Sequence, residues 1–534
     1  MTEANAERVL EGVAASSGLA IGPVMHPSAV ATDRIAGGID EEAAALQAAL
    51  DQACEELFAL MDSGDKLAAE ILEFQTMLLE DEDLIGPVSL RISGGEAADR
   101  AWRAVLDAEI ADYVRSEDEY LSARASDLAD LRDRVLCAMA GVSIEIKDTP
   151  EAAILVADDL TPSAFLGFDW SRLGGVALFG CSPTSHVAIL ARARGVPMVV
   201  GMRGGPELTA AGETAALDGD NGVLTVAPSR ETLAAHRLRI GAAAEQDAAA
   251  AKRALQPAVT ASGRAVLVMV NIDDPSILDS LSPEICDGVG LTRTEFLFRD
   301  GDTPDEARQF DIYTRIVRWA EGRPVTIRTL DAGGDKPIPG VTVDGESNPF
   351  LGVRGLRLSL IRPELFRVQL RALCRAAALG SLKVMVPMVT TPHELAAAAA
   401  HLDAVVAELA TEGVEHARPA LGIMVETPAA ALTAADWEAD FYSIGSNDLI
   451  QYVTAAGRDN PEVASLADPR NPAVLELIRR TIEAGRSRGV EVSLCGDMAS
   501  APDLVPVLLD LGLETFSVAP AQVGRVKFAI GESG

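Results

Sequence analysis

Leu421-Gly-Ile-Met-Val-Glu426 and Phe441-Tyr-Ser-Ile-Gly-Ser-Asn-Asp448 decide the fold class. Each is an apolar run too short for a helix that ends on a polar, chemically capable side chain. Such runs read as buried strands, because a buried parallel strand is apolar throughout while its end meets solvent or a site. Six further runs are strand-like, at 266–272, 288–291, 325–330, 384–389, 490–494 and 516–518, and most are followed by a helical stretch. Eight βα units in succession predict a TIM (β/α)8 barrel over 258–534. The polar groups cluster at the strand ends, in Arg293-Thr-Glu, Arg328-Thr-Leu-Asp, Glu426-Thr, Gly445-Ser-Asn-Asp448 and Cys495-Gly-Asp497. Barrels of this kind carry their active sites on that C-terminal rim.

Upstream of the barrel, the Ala- and charge-rich segment 231–255 reads as a solvated linking helix that ends near Pro257, where a domain boundary is expected. The stretch before it shows short apolar runs at 154–156, 176–179 and 197–200, then Leu217-Asp-Gly-Asp-Asn-Gly-Val-Leu-Thr-Val226, all punctuated by Gly and Pro. That pattern predicts a small α/β domain. Residues 40–139 contain no proline except Pro87 and show helical periodicity at 44–60, 67–79 and 101–114, which predicts a helical bundle or hairpin pair. The expected architecture is therefore multidomain α/β, and 534 residues are too many for one ordinary core.

Composition narrows the function. Lys plus Arg number 45 against 80 Asp plus Glu, a net charge of −35, which repels nucleic acid and anionic membrane surfaces and attracts a basic protein partner. No run approaches the roughly 18 apolar residues of a membrane helix, so membrane insertion is not expected and a cytoplasmic location is. Cys54, Cys137, Cys181, Cys286, Cys374 and Cys495 are scattered without a CxxC pair, which argues for reduced thiols and against structural zinc.

Several residues could carry chemistry. Ser185 is a plausible N-cap for an apolar helix 187–194 that stops at Gly195 and Pro197, which puts His186 in the first turn. A helix N-terminus favours an anion over a cation, so a neutral ring nitrogen there can attack phosphorus and the phosphate so acquired meets backbone N–H groups. A lone histidine at a helix start more often only packs. Arg293, Arg328 and Arg354 sit where apolar runs turn polar, and guanidinium groups bind phosphate and carboxylate in pairs; singly, each is more often an ion-pair residue. Glu426 and Asp448 end consecutive strands and supply hard oxygen ligands suited to Mg²⁺, although paired carboxylates are common. Cys495 could protonate a developing enolate carbon, or be buried packing.

Taken together, Pro183-Thr-Ser-His186 with Ala191-Arg-Ala, Gly288-Val-Gly-Leu-Thr-Arg-Thr-Glu-Phe-Leu297, Arg328-Thr-Leu-Asp-Ala-Gly-Gly-Asp-Lys336, Asn348-Pro-Phe-Leu-Gly-Val-Arg354, Gly422-Ile-Met-Val-Glu426, Ser443-Ile-Gly-Ser-Asn-Asp-Leu-Ile-Gln-Tyr452 and Cys495-Gly-Asp-Met favour the chemical reading throughout. In this order they make a chain that resembles enzyme I of the bacterial phosphoenolpyruvate (PEP)-dependent sugar phosphotransferase system over nearly its whole length. The resemblance implies an α-helical insert, a small swivelling α/β phosphohistidine domain and a PEP-binding barrel. It divides the chain into 1–30 and 146–230 (phosphohistidine domain), 31–145 (helical domain that docks the phosphocarrier HPr), 231–257 (linker helix) and 258–534 (barrel and dimerisation domain). It implies that His186 accepts the phosphoryl group, that Arg293, Arg328, Arg354, Asn447 and Arg458 hold PEP, that Glu426 and Asp448 bind Mg²⁺, and that Cys495 protonates enolpyruvate to pyruvate. A homodimer and a hinge within the linker are also implied. The sequence departs from the family pattern at Cys181-Ser182, where a glycine pair is usual, and at Gln75, Asp497 and Gly457, where His, Glu and Asp are expected. Dikinase-like relatives would need an ATP-binding domain ahead of the histidine domain, and a nitrogen-branch paralogue a sensory domain; neither is expected here. A scaffold that has lost turnover is the reading from another class, and pyruvate release discriminates it.

Overall fold

The computed structural model describes residues 6–27, 35–61, 72, 75–79, 81–115, 119–141, 150–183, 185–298, 303–334, 337–343, 345–457 and 463–534, the side chains of 114, 119–124, 126 and 464 apart. The chain forms two compact units, 1–243 and 244–534, which part within the helix Arg230–Ala254.

In the first unit, β1 (Arg8–Glu11), β2 (Val13–Ser16), β3 (Leu19–Met25), β4 (Ala153–Ala157), β5 (Leu173–Leu178), β6 (Met198–Val200), β7 (Thr214–Asp218) and β8 (Val223–Val226) build one sheet in the order β1-β8-β7-β3-β4-β5-β6-β2. The pairs β3–β4, β4–β5 and β5–β6 are parallel and the rest antiparallel. The expected runs at 154–156, 176–179, 197–200 and 217–226 all fall on or against these strands. A turn at Asp218–Gly222 closes the β7–β8 hairpin, with Gly222 at φ +70° and only 2.8 Å between the place of a Cβ and the Ala14 nitrogen, so only glycine fits.

Between β3 and β4 the chain inserts the helices Ile39–Met61, Glu82–Ser93, Ala98–Val114 and Glu119–Ala140. Asp81 caps the second of these by accepting from the Asp83 N–H. Among the described residues the apolar core of the insert is continuous with that of the sheet part: Leu57, Trp102, Leu106 and Leu131 belong to one cluster with Phe165, Val187 and Leu190. Inside that contact lies Asp130, buried and accepting from Gln75 Nε2 (2.8 Å), Thr161 Oγ1 (2.8 Å), the Ser163 N–H (3.0 Å) and Ser163 Oγ. Gln75 therefore points inward. Arg134 continues the network to Ser163 Oγ (2.7 Å) and Glu56 (2.7 Å). Asp130→Ala strips the acceptor from four donors, all buried but the half-buried Thr161 hydroxyl, and should cost about 3 kcal/mol. The check is hydrogen exchange of the amides of β4 and β5, expected to speed up about 10²-fold; a change under about threefold overturns the clamp.

In the second unit, β10 (Ala265–Ile272), β11 (Val289–Thr292), β12 (Val325–Arg328), β13 (Leu382–Val386), β14 (Ala420–Val425), β15 (Phe441–Gly445), β16 (Glu491–Cys495) and β17 (Thr515–Val518) pair in parallel, each with the next. The β10–β17 pairing closes the circle, and β9 (Ala258–Val259) adds to β10 from outside, antiparallel. This is the expected eight-stranded barrel. Two strands end earlier than the apolar runs suggested, β12 at Arg328 rather than 330 and β13 at Val386 rather than 389. Leu330, Met388 and Val389 are buried loop residues, apolar because they pack rather than because they pair. The helices around the barrel begin with proline at Pro363, Pro392, Pro428 and Pro472, where a missing N–H costs nothing, and two of them end on left-handed Gly413 and Gly489.

Candidate active site

His186 opens the helix His186–Arg194, whose N-cap Ser185 accepts from the Ala188 N–H and whose C-cap is left-handed Gly195. The loop before it is held by Arg192, which donates to the carbonyls of Pro183 (2.8 Å) and Ala15 (2.9 Å). Cys181 takes φ +70°, the conformation a glycine adopts freely, at a cost on the order of 1 kcal/mol. The departure at Cys181 thus leaves the backbone path of a glycine in place, and the Cys181 thiol donates to Ser185 Oγ (3.0 Å). The His186 ring is 33% exposed, with Nδ1 3.7 Å from the fully buried carboxylate of Asp127. Thr184 lies outside the described residues.

The second constellation surrounds an open cavity at the C-terminal end of the barrel, lined by Leu291, Arg293, Arg328, Met424, Glu426 and the rim from Gly445 to Asp448, with Cys495 and Gly496. The strand-end logic of the sequence brings these together. Arg328, the last residue of β12, is buried and forked between Asp331 (2.9 Å) and Glu295 (3.0 Å). Arg354 is fully buried and does not line the cavity; it donates to Asp331 (3.0 Å), Asp448 (3.1 Å) and the Tyr452 hydroxyl (3.3 Å). Burial alone would lower the pKa of both guanidinium groups, but the surrounding carboxylates outweigh it and raise both above the ordinary arginine value. Arg293 pairs with Asp273 at the edge of the opening.

Asn447 and Asp497 exchange two hydrogen bonds, Asp497 N–H to Oδ1 (2.9 Å) and Nδ2–H to the Asp497 carboxylate (3.1 Å). Aspartate at 497 is therefore long enough to fix the Asn447 amide. Cys495 is buried, its thiol beside Ser443 Oγ and the Ile444 carbonyl (both 3.5 Å), and burial raises its pKa, so it remains a protonated thiol. Arg458 lies outside the described residues. Glu295, Asp331, Asp273 and Tyr452 received no role from the sequence, although the first two stand inside the quoted rim motifs.

Glu426 accepts from the Met388 N–H (2.6 Å). Burial first, then the neighbouring charges of Asp448 and Asp331, push its pKa up to about 8. A carboxyl kept protonated by burial and by crowding negative charge together is a place where a cation relieves the crowding. Among the described residues no group of three or more His, Cys, Asp or Glu could hold a metal unaided. Glu426 and Asp448 fit an ion such as Mg²⁺, which takes one or two carboxylates and completes its shell with water and substrate oxygens. Because the folded pKa of Glu426 lies above its ordinary 4.5, its contribution to stability is full below about pH 4.5 and is lost as pH climbs to about 8. Metal-free barrel stability should therefore fall across that window and the fall should flatten in Glu426→Gln; equal slopes by urea titration count against it.

Three family descriptions match the chain: PEP-utilising enzyme, N-terminal (residues 11–124), PEP-utilising enzyme, mobile domain (149–222), and PEP-utilising enzyme, PEP-binding domain (247–533). The chain belongs to the PEP-utilising enzymes. Among similar members, the phosphoenolpyruvate-protein phosphotransferase of Priestia megaterium is 37% identical over 98% of this chain and 93% of its own length. That of Bacillus subtilis is 36% identical over 96% and 92%, and that of Haloferax volcanii 39% over 88% and 83%. In this PEP-utilising enzyme the matched PEP-binding segment contains every strand of the barrel, and the mobile-domain segment contains His186.

Proposed function

We propose that this chain is the phosphoenolpyruvate-protein phosphotransferase (EC 2.7.3.9) that opens a sugar phosphotransferase system. It moves the phosphoryl group of PEP to His186, releases pyruvate, and passes the group on to the carrier HPr. The observation that carries the reading is the barrel mouth, where Arg293, Arg328, Glu426, Asn447, Asp448 and Cys495 converge on one cavity. PEP carries roughly three negative charges, and a neutral imidazole can approach its phosphorus only where that charge is offset. Arg293 and Arg328 face the cavity as its cations, and Arg354 holds Asp331 and Asp448 in place behind them. Asn447 and Arg458 complete the contacts to PEP.

Mg²⁺, held by Glu426 and Asp448, would supply Lewis-acid charge to the phosphate and carboxylate oxygens. The imidazole lone pair forms the N–P bond as the P–O bond to the enol breaks. The enolate carbon then takes the proton of the Cys495 thiol, which burial has kept in place, to give pyruvate. The acidic surface suits a basic carrier, and the insert 39–140 is its docking part. Among the described residues no helix is long and apolar enough to cross a membrane; a cytoplasmic homodimer joined through its barrels completes the reading.

Incubation with labelled PEP and Mg²⁺ tests it. Label on the chain, equimolar pyruvate, and loss of label to added HPr are expected. No labelling, or labelling from ATP alone, overturns it.

A further inference from the structure

We infer that Glu295 is a positioning residue for Arg328, fixing the angle of that guanidinium for phosphoryl transfer while weakening the binding of PEP. This rests on the proposed reading of the barrel mouth as the PEP site. Glu295 opens a short 3-10 turn, Glu295–Phe298, just past β11, and Leu297 and Phe298 at its far end are buried in the barrel core. On the near side Thr294 donates from Oγ1 to the Arg328 carbonyl (3.1 Å). Gln369, on the helix Pro363–Ala377, laces the two loops together by donating to Thr294 Oγ1 (3.3 Å) and accepting from the Leu330 N–H (3.0 Å). A carboxylate on a turn held at both ends has little freedom to move.

Glu295 Oε1 accepts from Arg328 Nη2 (3.0 Å) and from the Asp331 N–H (2.8 Å). One oxygen thus sets the guanidinium against the loop that carries its other partner. Asp331 holds Arg328 less firmly, because its Oδ2 is divided between Arg328 Nη1 (2.9 Å) and Arg354 Nη2 (3.0 Å). Among the described residues Glu295 pairs with Arg328 and with no other cation. Burial works against the charge on Arg328, and Glu295 is the foremost of the carboxylates that outweigh it.

For affinity alone this carboxylate is out of place. It repels an anionic ligand and occupies part of the hydrogen-bonding capacity of a cation that faces the cavity, so a neutral side chain at 295 would bind PEP more tightly. What it supplies is orientation. A guanidinium grips phosphate or carboxylate through a planar fork whose paired hydrogen bonds form at one angle, and a displacement of about 1 Å at a reacting centre costs on the order of 10²-fold in rate. Glu295 gives up ground-state binding for a geometry that acts in the transition state.

The test compares Glu295→Gln and Glu295→Ala with the wild type in the full chain. Calorimetric titration with PEP and Mg²⁺, with His186→Ala added to all three so that no transfer follows, gives Kd; single-turnover labelling from PEP with His186 intact gives the rate. Both substitutions should lower Kd about threefold or more. The rate should fall about 10²-fold in Glu295→Ala and less than about tenfold in Glu295→Gln, whose amide oxygen still accepts from Arg328 and from the Asp331 N–H. A merely structural role would raise Kd as it lowers the rate. PEP binding that is unchanged or weaker in a folded Glu295→Gln chain, judged by urea unfolding, overturns the inference. So does a Glu295→Ala rate within about threefold of wild type, or a Glu295→Gln rate no better than that of Glu295→Ala. If the wild type takes no label, the functional reading fails, while the direction in which Kd moves still decides the role of Glu295; PEP bound by none of the chains overturns both.

Discussion

His186→Ala should abolish phosphoryl incorporation from PEP and pyruvate release together, to below about 10⁻³ of the wild-type rate. A covalent carrier has no substitute once its nucleophile is gone. The change is mild for the fold, because the ring is partly exposed and alanine is a good helix former at the start of His186–Arg194. PEP should still bind, since none of the residues lining the barrel cavity is altered. Quantified labelling beside isothermal titration with PEP separates the two effects. Label that survives the substitution assigns the acceptor elsewhere; lost PEP binding shows that the loss was structural.

Arg328→Ala should be nearly as damaging, by a different route. The guanidinium is buried and answers both Glu295 and Asp331, so its removal takes that cation from Glu295 and leaves Asp331 to Arg354, beside a third carboxyl, Glu426, whose pKa burial and its neighbours already raise. Breaking a buried pair of this kind costs about 3–5 kcal/mol of stability. Loss of a cation facing the substrate phosphate should lower kcat/KM by on the order of 10²–10³. Arg328→Lys restores the charge but not the fork that spans two acceptors, so stability should recover further than rate. Urea unfolding of the barrel and steady-state pyruvate release measure the two. A near-wild-type rate in Arg328→Ala sinks the clamp.

The barrel was legible because its signal is local. A buried parallel strand is short and mostly apolar, and five of the eight runs ended on clusters of polar, chemically capable groups. Where the reading overshot, at 325–330 and 384–389, the cause was equally local, since a buried loop and a buried strand are alike in composition. Segment 8–25 was harder. Its three strands are short, broken by Gly12, Gly18 and Pro23, and paired with residues some 200 positions away, so no pattern along the chain marks them. The site divides in the same way. Arg328, Glu426, Asp448 and Cys495 stand at strand ends and announce themselves. Tyr452 and Asp273 matter through partners chosen by the fold, and Asp127 reaches His186 from another helix entirely. Gln75 stands out in the sequence only as a departure from an expected histidine, and only the tertiary structure shows that its amide faces Asp130.

The pairing of Arg8 with Val226 has a consequence during synthesis. The edge strand of the first sheet leaves the ribosome about 200 residues ahead of its partner, on the order of 10 to 40 s at ordinary elongation rates. Through that interval the helices of the insert can form on local contacts, while β1 and β3 wait with unpaired backbone and apolar side chains. The nascent chain is thus most exposed to misassociation before residue 226 emerges, and a substitution that slows the β7–β8 hairpin should lower the yield of soluble protein more than it lowers the stability of the finished molecule.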